Sequence, residues 1–148
     1  KYMAKMIEIA ISKNFGQKMI NVDSIKTIAG KGLVNDRHFR ENNDKKCQIT
    51  LIEIENINHY NQLFKTSIPL IDFRRNIITE GIKLNELVQS EFFIGEVKVK
   101  GHDLCRPCKH LQETLKQKNI IKEFLQKGGL RCEILKGGNI FVGDEIKN

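Results

Sequence analysis

The chain has 148 residues, of which 40% are hydrophobic and 29% charged, with 11 Gly and 2 Pro. That composition fits one globular domain with a real core and excludes disordered, collagen-like and Pro-rich chains. No apolar run approaches the roughly 18 to 20 residues that span a bilayer, and the N-terminus has no signal-peptide pattern, so a cytoplasmic protein with no membrane partner is expected. The net charge of +7 comes from lysines dispersed along the chain rather than from a basic stretch interleaved with aromatics, which argues against nucleic acid as a partner.

Residues 1–148 read as a single domain, without linker, repeat or low-complexity tract. Period-two apolar spacing predicts strands at Met6–Ile11, Lys18–Ile25 and Cys47–Ile52. Between the last two, Gly30–Lys46 is a glycine-containing basic loop, and loops of that length in a compact domain are often functional. Ile54, Ile57, Tyr60, Leu63 and Phe64 recur at helical spacing, which predicts a helix over Glu53–Phe64 that ends before Pro69. Strands are then predicted over Phe73–Thr79 and Phe92–Lys100. Two short helices follow, Pro107–Lys116 and one carrying Ile120, Ile121, Phe124 and Leu125, stopped by Gly128 and Gly129. Leu130–Leu135, a Gly137–Gly138 turn, Ile140–Val142 and Glu145–Ile146 close the chain as short strands. Many short strands with a few short helices and no regular β-α alternation predict an α+β, barrel-like fold rather than a doubly wound sheet.

The four cysteines, Cys47, Cys105, Cys108 and Cys132, are read as thiols, ligands or catalysts rather than disulfides, since no export signal precedes them. Cys105 and Cys108 form a C-x-x-C pair in Leu104-Cys105-Arg106-Pro107-Cys108-Lys109-His110, at the start of a predicted helix. The partial positive charge of a helix N-terminus and three neighbouring basic or imidazole groups favour a thiolate, so Cys108 is expected to be more reactive than Cys47 or Cys132. Two buried thiols packing as small apolar groups is the plainer alternative. Thioredoxin-type exchange is disfavoured because the motif lies late in a strand-rich chain, and a zinc site from Cys105, Cys108, His102 and His110 because no second ligand pair has the usual spacing.

Arg74 and Arg75 stand in an apolar segment, Phe73–Ile78, and Arg131 in another. Strand alternation would send the two adjacent arginines to opposite faces, so at least one must meet a buried carboxylate or border a pocket that grips an anion. The two alternatives are level on residue patterning alone. In Gly30–His38, glycines allow unusual backbone angles while Lys31, Arg37 and His38 could converge on an anion, without the spacing of a Walker loop or a dinucleotide fingerprint.

Together these pieces resemble the MOSC domain, named for the C-terminal domain of molybdenum cofactor sulfurase, in its short stand-alone bacterial type. The resemblance rests on Gly32–His38, Gln48–Leu51 leading to Glu53, Phe73-Arg74-Arg75-Asn76-Ile77, Gly81 with Leu84-Asn85, Phe93-Ile94-Gly95, Leu104–Cys108, Gly129-Leu130-Arg131 and Gly137–Asp144. It implies a strand-rich, barrel-like α+β fold and sulfur or molybdenum chemistry. The cysteine after Pro, Cys108, would be the sulfur carrier or the molybdenum ligand of a bound pterin cofactor, with Cys105 as second or resolving thiol. Asn35 stands where the family has Gly; Asn tolerates left-handed angles, so the same turn is available. The pyridoxal-phosphate desulfurase domain that accompanies some members has no counterpart in these residues, so release of sulfur from cysteine by that route is not expected of them.

The resulting expectation is a protein that binds an anionic, phosphorylated pterin, the molybdenum cofactor, with Arg74, Arg75, Asn76, Arg37, His38, Lys31 and Arg131 around it and Cys108 as ligand or persulfide carrier. It would support sulfur transfer to metal-sulfur centres or reduction of N-hydroxylated compounds. The alternatives are a non-catalytic carrier working only with a cysteine desulfurase or redox partner, and a C-x-x-C redox or zinc protein.

Overall fold

A computed structural model describes residues 3–106, 112, 113, 115–117 and 119–148. Within them the period-two segments become strands: β1 (Lys5–Ile11), β2 (Ile20–Val22), β3 (Ser24–Ile28), β4 (Gly32–Leu33), β5 (Ile49–Glu53), β6 (Ile77–Glu80), β7 (Glu91–Ile94), β8 (Val97–Leu104), β9 (Leu130–Lys136), β10 (Gly138–Phe141) and β11 (Ile146–Lys147). The helices are α1 (Ile54–Phe64) and the single turn α2 (Ile120–Glu123), with 3₁₀ turns at Leu70–Phe73 and Leu84–Leu87. The fold is α+β. No helix among the described residues is long and apolar enough to cross a membrane.

An eight-stranded sheet runs in the order β11-β7-β8-β9-β5-β6-β1-β2, and a three-stranded sheet in the order β10-β3-β4. All the pairings are antiparallel except β5 with β6, and that parallel pair needs a crossover, which α1 provides. The barrel-like expectation is met only in part. The large sheet curls until β1 and the approach to β11 meet, but they share one bridge, Lys5 with Glu145, and a few backbone bonds such as Met6 N–H to Asp144. The ladder therefore does not close into a barrel.

Burial follows the pleat. One face of the sheet packs Met6, Ile9, Leu51, Ile77, Val97, Val99, Leu130, Cys132 and Ile134 into the main core. β5 and β6 are buried on both faces, as a parallel pair under a crossover helix should be. Their other face turns Ile52 and Ile78 onto a second core with Ile57 and Tyr60 of α1, Phe73, Ile120 and Phe124.

Four predicted elements differ from the structure. Lys18–Ile25 is two strands, β2 and β3, rather than one. Phe92–Lys100 folds back as the β7-β8 hairpin, because Gly95 takes φ 56° and turns the chain there. Phe73–Thr79 becomes a strand only at Ile77, since the preceding 3₁₀ turn ends at Arg74 in the left-handed region (φ 61°). Gly138 opens β10 and pairs with Thr27, so only Gly137 lies between β9 and β10. The predicted Pro107–Lys116 helix falls mostly outside the described residues.

Asn76, at the entry to β6, ties three strands. Its Oδ1 accepts from the Thr50 backbone N–H at 3.1 Å and the Thr50 hydroxyl at 3.2 Å, and its Nδ2 donates to the Ala10 carbonyl at 3.1 Å. The side chain is buried. Asn76→Ala leaves those groups without partners in the interior and should lower stability by about 2 to 4 kcal/mol in urea denaturation; a loss below about 1 kcal/mol would contradict this role.

Candidate functional site

The β5, β9 and β8 ladders align Thr50 with Arg131 and Arg131 with Asp103. This row faces away from the main core, because its neighbours Ile49, Leu51, Leu130 and Cys132 fill the inward positions. Around it lies a cavity of about 330 Å³ lined by His38, Lys46, Cys47, Thr50, Arg75, Cys105, Arg106 and Arg131. The residues come from four places: the loop after β4, the segment before β6, the end of β8, and the row itself. No carboxylate lines the cavity among the described residues.

Cys105 follows β8 and is held by its backbone N–H, which donates to the Gly129 carbonyl at 2.7 Å. Gly129 has φ 111°, and a Cβ there would run into the Leu51 carbonyl, so only glycine lets the chain enter β9 this close to β5. Burial pushes the Cys105 thiol up; the charges of Arg75 and Arg131 and a hydrogen bond from Arg75 oppose this without cancelling it. Arg75 is anchored by the Gly128 carbonyl (2.9 Å) and the Phe73 carbonyl (3.3 Å) and has no carboxylate partner among the described residues. Arg131 pairs across the strands with both carboxylate oxygens of Asp103, and Lys46 approaches the same carboxylate at 3.6 Å.

His38 is placed by Asp36, whose side chain has no exposed surface. Asp36 accepts from the Ser12 backbone N–H (3.1 Å) and Arg37 (3.2 Å), and lies 3.6 Å from His38 Nδ1. Burial alone would raise this carboxyl, but hydrogen bonds from His38 and Ser12 and the charge of Arg37 hold it below its ordinary value. The turn before it uses Asn35 at φ 72°, the left-handed angle expected where the family has Gly.

The candidate residues do not all converge. His38, Arg75, Arg131 and Cys105 line one cavity. Arg37 is buried, bonded to Asp36, Met19 Sδ and the Arg74 carbonyl. Lys31 pairs with Glu41 on the surface, and Asn76 is enclosed between strands. Arg74 donates to the Gln17 carbonyl at 2.8 Å and borders a different, larger cavity of about 620 Å³ with Lys18 and Asp72, which among the described residues has neither thiol nor histidine in its lining. His102 of the zinc alternative is bonded to Glu133 at 2.9 Å. Cys108, the predicted catalytic residue and metal ligand, lies outside the described residues, as do Lys109 and His110. Sequence reasoning passed over Lys46, Cys47 and Thr50 as site residues; the one signal was a basic residue beside a cysteine at the entrance to an apolar strand.

Another cavity, of about 530 Å³, shares Cys105 and Arg106 with the first and is lined as well by Val88, Leu104, Ile121 and Leu125, with Asp103 and Gln126. A cationic hollow and a largely apolar one thus share the Cys105-Arg106 segment.

Residues 34–147 match the sequence model of the MOSC domain. The chain belongs to the MOSC domain family. This family is associated with molybdenum cofactor binding and sulfurase function. In fold, the MOSC chain is similar to the YuaD protein of Bacillus subtilis (TM-score 0.83, 19% identity, covering 98% of this chain and 94% of that one). It is similar as well to YiiM from Geobacillus stearothermophilus (0.78, 15%, 97% and 74%) and YiiM from Escherichia coli (0.70, 16%, 97% and 68%). No curated protein sequence matches it.

Two measurements check this geometry. In a Cys108→Ser background at neutral pH, Cys47 should be alkylated at least about tenfold faster than Cys105, and Cys132, whose thiol burial pushes well up, only on unfolding. Because the Asp36 carboxyl is depressed in the folded state, its contribution to stability is complete above the unfolded value near 4 and is lost as pH falls through the lower folded value. Asp36→Asn should therefore flatten the acid side of the stability profile below about pH 4, measured by urea midpoints across pH.

Proposed function

We propose that this MOSC protein binds an anionic, phosphorylated pterin of the molybdenum cofactor type at the paired cavities and uses a thiol there as sulfur carrier or metal ligand. The observation that carries the reading is the division of the site. A hollow holding Lys46, Arg75, Arg106 and Arg131, with no carboxylate in its lining among the described residues, meets at Cys105 a hollow whose walls are Val88, Leu104, Ile121 and Leu125, with Asp103 and Gln126.

The donor set fits that group. A phosphate asks for guanidinium forks and ammonium groups, which Arg75, Arg106 and Lys46 supply; Arg131 is turned toward Asp103 and contributes field more than free donors. A ring system asks for apolar walls, which Val88, Leu104, Ile121 and Leu125 supply. Soft metals and sulfur ask for thiols, which Cys105 supplies and Cys108, three residues on, would add. When bound, the cofactor supplies two-electron redox chemistry and a metal-sulfur centre.

The protein's own residues do the rest. Arg75 lines the cavity with Cys105 and its charge favours the thiolate, so the guanidinium that grips the anion also acts on the thiol. His38, oriented by Asp36 from the rim, is placed to take or return a proton within the cavity. Whether the sulfur acts here or is delivered to a desulfurase or redox partner is the difference between an enzyme and a carrier. Turnover of N-hydroxylated compounds by loaded protein favours the enzyme, and persulfide formation only with a partner favours the carrier.

The test is titration with 6-hydroxymethylpterin phosphate and with duplex DNA across a salt series, together with elemental analysis of protein from a host that makes molybdenum cofactor. Pterin binding should weaken by about tenfold in Arg75→Met and fall less steeply with salt than any DNA binding, because few phosphate contacts are involved. DNA binding at physiological salt with no pterin binding would overturn the reading.

A further inference from the structure

Cys47 is a thiol to which the family resemblance gives no role. It lies two residues before β5, is half-buried, and lines the same cavity as Cys105. Lys46 precedes it, and the Arg131 guanidinium is within electrostatic reach of both sulfurs. His38, Arg75 and Arg106 complete the lining, again with no carboxylate among the described residues. Fixed cations gathered around an accessible thiol suit one class of reactant in particular: a small dianion carrying a transferable sulfur, with its oxygens on the cations and its outer sulfur against the thiol. Of the two described thiols in the cavity, Cys105 is only 6% exposed, whereas Cys47 is half-buried. Cys47 is the one an incoming anion meets first.

We propose that Cys47 accepts sulfur from a small anionic sulfane-sulfur compound held by Lys46, Arg75 and Arg106, in the field of Arg131. The proposal deepens the sulfur-carrier reading above and rests on it. With thiosulfate as donor, the Cys47 thiol gives its proton to solvent and its sulfur attacks the outer sulfur of thiosulfate. A new S–S bond forms at Cys47, the S–S bond of thiosulfate breaks, and its electron pair leaves with sulfite. The products are Cys47 persulfide and one sulfite. No further oxidant or reductant takes part, and no pyridoxal-phosphate domain is needed to charge the protein.

The experiment incubates the reduced full chain with thiosulfate, measures sulfite released and intact mass, and locates the added sulfur by peptide mass after alkylation. The wild-type chain should gain one sulfur per sulfite, mapped to Cys47. Cys47→Ser should release sulfite at least about tenfold more slowly, while Lys31→Met, which removes a surface cation outside the cavity, keeps the wild-type initial rate. Arg75→Met should raise the thiosulfate concentration for half-maximal rate. Mapping on the wild-type chain needs no variant to fold. Sulfur found first on Cys105 or Cys108, wild-type behaviour of Cys47→Ser, or no sulfur uptake at all would overturn the proposal. Pterin binding on the same samples separates the two readings. Pterin binding without sulfur uptake overturns the Cys47 assignment alone, and sulfur on Cys47 without pterin binding supports it while overturning the pterin site.

Discussion

The Asp36 carboxylate sits where the end of β1, the loop after β4 and the turn before β6 come together, with no side-chain surface left to water. A buried charge of this kind is tolerable only when its oxygens are occupied; here Oδ1 accepts from both the Ser12 N–H and the guanidinium of Arg37, and Oδ2 accepts from the His38 backbone N–H at 3.4 Å, with the His38 imidazole beside it. Arg37 then carries the link on to the Arg74 carbonyl and Met19. The loop that follows β4 is therefore fastened at its first turn. That fastening gives the cavity a fixed wall, since His38, Lys46 and Cys47 hang from a segment that would otherwise be a long surface excursion.

The floor obeys a different constraint. Thr50, Arg131 and Asp103 share a face because the registers of β5, β9 and β8 are set by the inward-facing Ile49, Leu51, Leu130 and Cys132, and a slip of one residue would exchange the two sets. Hydrophobic burial on one face thus fixes the positions of charges on the other. Asp103 neutralises Arg131 within that row, which leaves Arg75, Arg106 and Lys46 as the cations most available to a ligand. The positive character of the cavity follows from where the neighbouring carboxylates are committed, Asp103 to Arg131 and Lys46, and Asp36 to the Ser12 N–H and Arg37.

How much of this could be read in the sequence depends on the range of the interaction. Alternation in Leu130–Leu135 and helical spacing in Ile54–Phe64 are local signals, and β9 and α1 follow them closely. Arg74-Arg75 misled because Ile77 and Ile78 continue an apolar run. The left-handed residue that ends the 3₁₀ turn is an arginine rather than a glycine, so no local signal marks the break. The β7-β8 hairpin is signalled by Gly95 and by the change of phase from Phe92 and Ile94 to Val97 and Val99, which a single strand over Phe92–Lys100 would not show. Convergence of His38, Arg75, Cys105 and Arg131 depends on contacts between distant segments and was legible only through the family resemblance. The same resemblance could not say that Arg37, Lys31 and Asn76 point into structural bonds instead. Cys47 has no place among the predicted site residues because a single thiol at a strand entrance, with only Lys46 beside it, does not show which distant cations it will face.

The three described thiols form a graded series set by the sheet. Cys132 occupies an inward position of β9 and is sealed in the core, where it behaves as a small apolar side chain. Cys105 lies just past the end of β8, still covered but sharing the cavity with Arg75 and Arg131. Cys47 lies ahead of β5 at the cavity rim. Moving outward, each thiol loses cover and gains contact with cations and solvent, so the chemistry open to each follows from its distance beyond the inward-facing rows. A carrier that must take sulfur from a soluble anion and shelter it from water needs both ends of such a gradient, one thiol accessible and one protected, facing a common set of cations. The curled sheet supplies that arrangement with residues whose places were already determined by packing.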